Sequence, residues 1–329
     1  MGGRIAMTGQ LQVTRQLTER PPASHGAINI TDINIRTLFR TEVLSIQDVR
    51  CLGSVVGRSD EEWPAGYEIV FPRAGTFVRH GADGVHVADA TQVLFFHPGQ
   101  SYEIAHPVHG GDRCTVFELS RSVLVEVLGS HDPDVDELQE RPFRTGSALV
   151  DARQRLAQHR LLRLVEDGWL GDPIELEESV LKHIDLAVTN AYARDGRAIG
   201  EAKRETRHAH AELASDVKLY LGERMADRIR LSEVASAVGS SPYHMCRIFK
   251  RQAGLPIHRY LRRLRLLHAL DRLSDDPNEL LTRTALDVGF SSHAHMSTAF
   301  RAEFGTTFAE VRRGMTGHRM REMRKIVEA

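Results

Sequence analysis

The chain has 329 residues, 41% hydrophobic and 26% charged, with a formal net charge of −1, which is the composition of an ordinary globular protein long enough for two or three domains. No apolar run approaches the roughly 20 residues needed to cross a bilayer, and MGGRIAMTGQLQVTRQ at the start lacks the apolar core of a signal peptide. Cys51, Cys114 and Cys246 are an odd number at no close spacing, which fits a reducing cytoplasm better than a disulfide framework, so a cytoplasmic protein without a membrane partner is expected.

Residues 1–45 are polar and Pro/Ser-dotted (RPPASHG) and read as an N-terminal arm. From 46 to 121 the language is that of strands. YEIVF, TFVRH, GVHVADA, QVLFFH, SYEIAH and CTVFEL are short, β-branched and aromatic, and are separated by Gly- and Pro-containing breaks. Strands of this length, with a turn about every ten residues, predict a small β-barrel or sandwich. Tyr67, Ile69 and Phe71 alternate onto one strand face, and Tyr102, Ile104 and His106 onto another. Pointing inward, these six would line an apolar pocket for a small-molecule effector; the alternative is a filled core with no ligand.

Cys51 stands in an early strand, while His106, His109, Asp112 and Cys114 cluster in HPVHGGDRC. Cys51, His106 and Cys114 would form a zinc or redox site if the strands met. The spacing matches no established zinc pattern, and buried cysteine is usually a small hydrophobe. Apart from that zinc, no cofactor is expected.

Residues 122–200 turn helical. In IELEESVLKHIDLAVTNAYA the residues Val180, Ile184, Ala187, Val188 and Ala191 recur at three and four, a stripe that either packs on the strands or joins two copies of the chain. EAKRETRHAH (201–210) reads as a linker or an exposed first turn, and everything after it is helical. Residues 316–329 read as a tail.

Charge is divided along the chain. Residues 201–329 hold 23 Lys+Arg against 16 Asp+Glu, and residues 1–200 hold 20 against 28. Between Ser240 and Leu270 there is no acid but seven bases: Arg247, Lys250, Arg251, Arg259, Arg262, Arg263 and Arg265. Such a block points to a polyanionic partner, or to a solvated helix face.

The same region repeats. Leu231, Val234, Ala235, Val238 and Gly239 match Leu281, Thr284, Ala285, Val288 and Gly289 at an offset of fifty. Met245, Phe249, Lys250 and Gly254 match Met296, Phe300, Arg301 and Gly305 at fifty-one. A small residue, a glycine, a short polar turn and a capped helix make the pattern of a helix-turn-helix. Gly239 and Gly289 are expected to take positive φ, Ser241 to cap the second helix ahead of Pro242, and Ser291 or Ser292 to cap its counterpart.

RLSEVASAVGSSPYHMCRIFKRQAG and TRTALDVGFSSHAHMSTAFRAEFGTTFAEVRR, joined by HRYLRRLRLLHAL, resemble the two halves of the DNA-binding domain of the AraC/XylS family of bacterial transcription regulators. The resemblance implies an all-α domain over 211–315, with helix-turn-helix units at about 231–253 and 281–304. Its second helices would enter the major groove of double-stranded operator DNA. By the resemblance Tyr243, Cys246 and Arg247 read bases in the first unit, with Lys250 and Arg251 on phosphates. In the second, His293, His295, Ser297 and Thr298 occupy the reading face and Arg301 the phosphate position. Thr284, Phe308 and Val311 depart from the family's usual residues and predict a less rigid second unit.

Family members commonly place a cupin-type barrel before a helical dimerisation region. HPGQSYEIAH is similar to the second cupin motif, whereas the first, metal-binding motif is missing. The implied whole is an α+β protein: a cupin-like barrel over 46–121, a dimerising helical region and linker over 122–200, and the DNA-binding domain. Its implied function is a DNA-binding regulator that answers to an effector, works as a homodimer, and contacts RNA polymerase if it activates. The alternatives are a constitutive regulator whose barrel only dimerises, and a metal-dependent cupin enzyme.

Overall fold

A computed structural model describes residues 33–52, 58–132, 135, 141–166, 173–195, 202–276 and 279–315. The tail at 316–329 and the arm up to residue 32 lie outside the described residues. The sheet starts inside the stretch read as arm, with β1 (Ile33–Arg40) paired antiparallel to β2 (Leu44–Cys51). The sequence hides β1 because it is an edge strand: Ile33 is 42% and Ile35 51% exposed, and only Leu38 and Phe39 near its end pack, half-buried, on the core.

YEIVF and TFVRH, predicted as separate strands, are one 15-residue strand, β3 (Tyr67–Gly81). It continues through a register shift between Pro72 and Ala74, and such an irregularity bends the strand. Its first half pairs with β5 (Gln92–Phe96) and β7 (Asp112–Leu119). Its second half pairs with β4 (Gly84–Asp89) and β6 (Tyr102–Ala105). The path β1-β2-β7-β3-β5-β8 ends on β8 (Ser147–Leu149), three residues within the segment read as wholly helical. All pairings are antiparallel.

Alternation gives the main sheet two apolar faces. Ile46, Ile69, Phe71, Phe95 and Phe117, each at most 1% exposed, face a helical layer of α1 (Arg121–Gly129), α2 (Ala152–Glu166) and α3 (Pro173–Asp195). The α3 stripe of Val180, Ile184, Ala187, Val188 and Ala191 is buried in this layer, so it packs on the sheet of its own chain and is not available to a second copy. Each large side chain so buried contributes about 1.5–3 kcal/mol. On the other face, Val70, Leu94, Phe96, Cys114 and Val116 meet Phe77 and Ala88 from the folded-over half.

The remaining helices are α4 (Ala202–Glu223), α5 (Leu231–Ala237), α6 (Pro242–Ala253), α7 (Ile257–Asp275), α8 (Leu281–Asp287), α9 (His293–Phe304) and α10 (Phe308–Met315). AKRETRHAH (202–210) thus opens α4. The α4 residues Ala214, Val217 and Leu221 share a core with Val234, Met245 and Phe249. The second unit forms another core that takes in Ala90, Ala152 and Leu156 from the sheet side of the molecule.

Candidate nucleic-acid interface

The first unit is assembled by its small residues and its caps. Ala235 is 2% exposed and its carbonyl accepts from Ser240 N at 2.9 Å, closing the turn in which Gly239 sits at φ 62. The Ser241 hydroxyl accepts from His244 N at 3.3 Å, with Pro242 beginning the helix. Met245, Ile248, Phe249 and Ala253 are buried, which turns the opposite face of α6 outward. Tyr243 is 80% exposed, and His244, Arg247, Lys250 and Arg251 are exposed beside it. Cys246 is half-buried and packs against the unit's core, so of the three expected base readers it lies furthest from solvent.

The second unit repeats the geometry. Gly289 has φ 87, and of the two candidate caps Ser292 is the one used, accepting from His295 N at 3.1 Å. Met296, Ala299, Phe300 and Phe304 are buried in α9; His293, His295, Thr298 and Arg301 are exposed, and Ser297 is half-buried. Its polar groups bond to one another: His293 Nε2 with Ser297 Oγ at 3.1 Å, and His295 Nδ1 with Ser291 Oγ at 3.0 Å. His244 stands at the position of α6 that His295 occupies in α9 and is exposed; the sequence repeat contains this match, but His244 is not among the expected site residues.

The residues expected to loosen this unit are packed into it. Phe308 is 2% exposed, with its ring 3.8 Å from that of Phe300. Val311 and Thr284 are 1% exposed, and the Thr284 hydroxyl donates to Leu280 O at 3.2 Å. The large Phe308 ring packs on Phe300, and the Thr284 hydroxyl is satisfied within its own helix.

The acid-free block divides into two roles. Arg263 donates to Glu303 at 2.6 Å with Arg262 nearby, and Arg265 donates to the carbonyls of Met225 and Asp227. These three hold α7 to its neighbours. Arg247, Lys250, Arg251 and Arg259 remain on the surface, with three of the four on α6. Positive charge is therefore concentrated on α6.

Helix α7 joins the two units and is held by the sheet domain from end to end. Near its start the Tyr260 hydroxyl, fully buried, donates to Asp89 and lies 3.1 Å from Thr91 Oγ1. Burial and the Asp89 charge raise the Tyr260 pKa well above 10, so the phenol stays a donor. At its far end Asp275 accepts from Arg113 and, at 3.2 Å, from Arg50. Arg113 and Arg73 also bond Asp48, which is 3% exposed. Between the two ends, Arg73, Arg155, Gln158 and Asp271 line a cavity of about 20 Å³. Burial, the largest influence there, lowers the Arg155 pKa to about 9, still charged at neutral pH, and raises that of Asp271.

The six expected effector residues do not share a pocket. Ile69 and Phe71 are buried under the helical layer, with Tyr67 against the same core. Tyr102 and Ile104 pack on the opposite face, against the core of Val70, Phe77 and Phe96. The cause is one of register: residues 69 and 71 of β3 point to the helices, and the bend puts β6 on the other side. His106 lies on this second side as well, its ring 6.1 Å from that of Phe77. Its Nε2 bonds Asp112, and Cys51, His106 and Asp112 bring one ligand atom each to within 4.8 Å of one another. Cys114, expected in that trio, instead donates from Sγ to the second Asp112 oxygen at 3.2 Å. Burial opposes charge on His106, but the bonds and charges of Asp112 and Cys51 outweigh it and lift the pKa to about 10.

Among the described residues no helix is long and apolar enough to cross a membrane. A family model described as a helix-turn-helix domain matches residues 234–314. The HTH-type transcriptional activator RhaS of Escherichia fergusonii is 37% identical over 97 residues, which are 29% of this chain and 34% of that protein. Its counterpart in Escherichia coli O157:H7 is 36% identical over 98 residues, 30% of this chain and 35% of that one. The chain spans about a third of the length of these curated relatives. Among solved structures, ToxT from Vibrio cholerae matches over 84% of this chain and 100% of its own at 10% identity, with a TM-score of 0.32. A probable AraC family transcriptional regulator from Rhodopseudomonas palustris CGA009 matches over 32% of this chain and 99% of its own, at 25% identity and a TM-score of 0.30.

Proposed function

We propose, from the helix-turn-helix domain matched over residues 234–314, that this protein is a sequence-specific DNA-binding transcriptional regulator of the AraC/XylS type. The observation that carries the proposal is the pairing of α6 and α9. Both are capped by a serine, both turn polar faces to solvent, and both are fixed to one connecting helix. Two such helices suit successive major-groove faces of one duplex, about 34 Å apart.

Within this reading Tyr243 and Arg247 take the base edges in the first groove, with Cys246 at the flank. A bidentate Arg247–guanine contact would supply about 1–3 kcal/mol of discrimination. Lys250, Arg251 and Arg301 neutralise phosphates. In the second groove His293, His295, Ser297 and Thr298 offer hydroxyl and imidazole groups without fixed charge, so the first helix supplies more of the affinity and its salt dependence.

The sheet domain is the regulatory part of the proposal. An organic effector bound by the sheet domain would favour one docking arrangement of α7 over another, by as much as its affinity for the two differs. Homodimerisation, and contact with RNA polymerase where transcription is raised, belong to the same proposal. The test is selection of bound duplexes from a random pool at two salt concentrations. Enrichment of a site with two short blocks about one turn apart supports the reading. Uniform, salt-sensitive retention of all sequences would reduce the function to phosphate binding.

A further inference from the structure

We propose that Cys51, His106 and Asp112 form a binding site for a zinc-class divalent transition metal, placed so that its occupation acts on α7. The three residues come from the end of β2, the loop after β6 and the start of β7, and each offers a different donor: thiolate, imidazole and carboxylate. Their ligand atoms lie within 4.8 Å of one another. Around a tetrahedral zinc ion the donors sit about 3.3–3.8 Å apart, given bonds of about 2.0–2.3 Å, so the approach required is small.

The backbone holds the donors at this spacing. A Cβ on Gly111 would fall 1.9 Å from the Cys51 carbonyl oxygen, and one on Gly75 would fall 2.1 Å from the Gly111 carbonyl. Three chain segments therefore cross at a separation that only glycine allows, and the crossing sets Cys51 against Asp112, its register partner. His106 and Asp112 are nearly buried, with side chains 7% and 8% exposed. The Cys114 thiol, fixed on the outer Asp112 oxygen, stands where ligand-orienting groups of metal sites are found. On binding, the metal takes the place of the proton between His106 and Asp112, and that proton and the Cys51 thiol proton pass to solvent.

The rung beside the donors is the one that holds α7. Arg50 precedes Cys51, Arg113 follows Asp112, and the two are register partners. Both donate to Asp275. Side chains alternate along a strand, so the donor pair faces one side of β2–β7 and the arginine pair the other. A metal that draws Cys51 and Asp112 together therefore moves the arginine pair that grips the helix between the two recognition units. This last step rests on the function proposed above; the metal site does not.

The test is titration of metal-free full-length chain with cobalt(II), followed by displacement with zinc. The expected result is one thiolate-to-cobalt charge-transfer band with tetrahedral visible bands, abolished in Cys51→Ser. Affinity should fall at least about tenfold in His106→Asn and Asp112→Asn, and by about 10–100-fold in Cys114→Val. His109→Asn, an exposed histidine in the same loop, should leave the spectrum unchanged, with folding of every variant verified by circular dichroism. The absence of a thiolate band, or equal binding in folded Cys51→Ser, would overturn the site and mean adventitious binding only. For the coupling, zinc should change affinity for a selected duplex by about fivefold or more, and Asp275→Asn should keep the cobalt spectrum but lose that change. An intact spectrum with zinc-independent DNA affinity would overturn the coupling alone.

Discussion

Replacing Tyr260 with Phe tests how firmly the sheet domain holds the DNA-binding domain. The substitution removes one oxygen and keeps the ring, whose edge-on contact with Phe249 at 5.1 Å is unaffected. Asp89 is fully buried and takes its other bonds on Oδ1, from Thr91 N at 2.8 Å and Thr91 Oγ1 at 2.6 Å. The substitution therefore removes the bond to Oδ2 together with the 3.1 Å contact to Thr91 Oγ1. A hydrogen bond to a buried charged acceptor is worth about 1.5–3 kcal/mol, which moves the docked–undocked balance about 10- to 150-fold. Urea unfolding of the wild type, Tyr260→Phe, Asp89→Ala and the double variant forms a cycle, and the expected coupling is at least about 1 kcal/mol. Additivity of the two single effects to within about 0.5 kcal/mol would refute the bond as an interdomain tie.

The other predictions concern separate parts of the molecule. Arg247→Ala should weaken operator binding by about 1–3 kcal/mol and relax preference at one base pair. Lys250→Ala should weaken binding to all duplexes alike and flatten the salt slope by about one unit; identical behaviour of the two variants across operator changes would contradict the roles. His159 and His183 are buried, and burial, aided by nearby arginines, lowers both pKa values from 6.5 to about 3. The unfolded chain binds these protons more readily. Stability is therefore complete above pH 6.5 and is lost as pH falls towards 3, by about 1.4 kcal/mol per histidine and pH unit. His183→Phe, set between Phe71 and Phe117, should flatten the acid side of that profile in pH-dependent urea titrations. At Gly289 a Cβ would meet the Ala226 carbonyl at 2.6 Å, whereas at Gly239 nothing lies within 4 Å. Gly239→Ala should cost about 1–2 kcal/mol for the left-handed backbone alone, and Gly289→Ala more, readable as a difference in thermal midpoints.

What the sequence disclosed followed from how local each signal is. Caps, turn glycines and the helical stripe are set within a few residues, and Ser241, Gly239, Gly289 and the Val180–Ala191 stripe carry them in plain view. The strand starting at Ile33 escapes notice because most of its side chains lie exposed at a sheet edge. The continuity of β3 escapes because Pro72 and Gly75 signal a turn, whereas the structure makes them a bend. The shared effector pocket fails for a longer-range reason. Alternation tells which residues of one strand share a face, but only the fold decides which face of β3 meets β6. The same limit applies to the thiol cluster, where Cys114 looks like a donor in the sequence and register puts Asp112 opposite Cys51 instead. Sharing of α7 between the units and the sheet domain depends on pairs such as Tyr260 with Asp89, 171 residues apart, which no local pattern reveals.

The central claim is that α6 and α9 read one duplex together, and the spacing of their two sites tests it most directly. Affinity is measured for a selected operator and for the same operator with five base pairs inserted between its two blocks, about half a helical turn. The account predicts that the insertion weakens binding about as much as scrambling the second block, because the rigid α7 connection cannot follow the rotated groove. A ten-base-pair insertion should not restore it, since the span then exceeds the fixed separation of the two helices. Equal affinity for all three spacings would mean that a single unit binds, and would contradict the account.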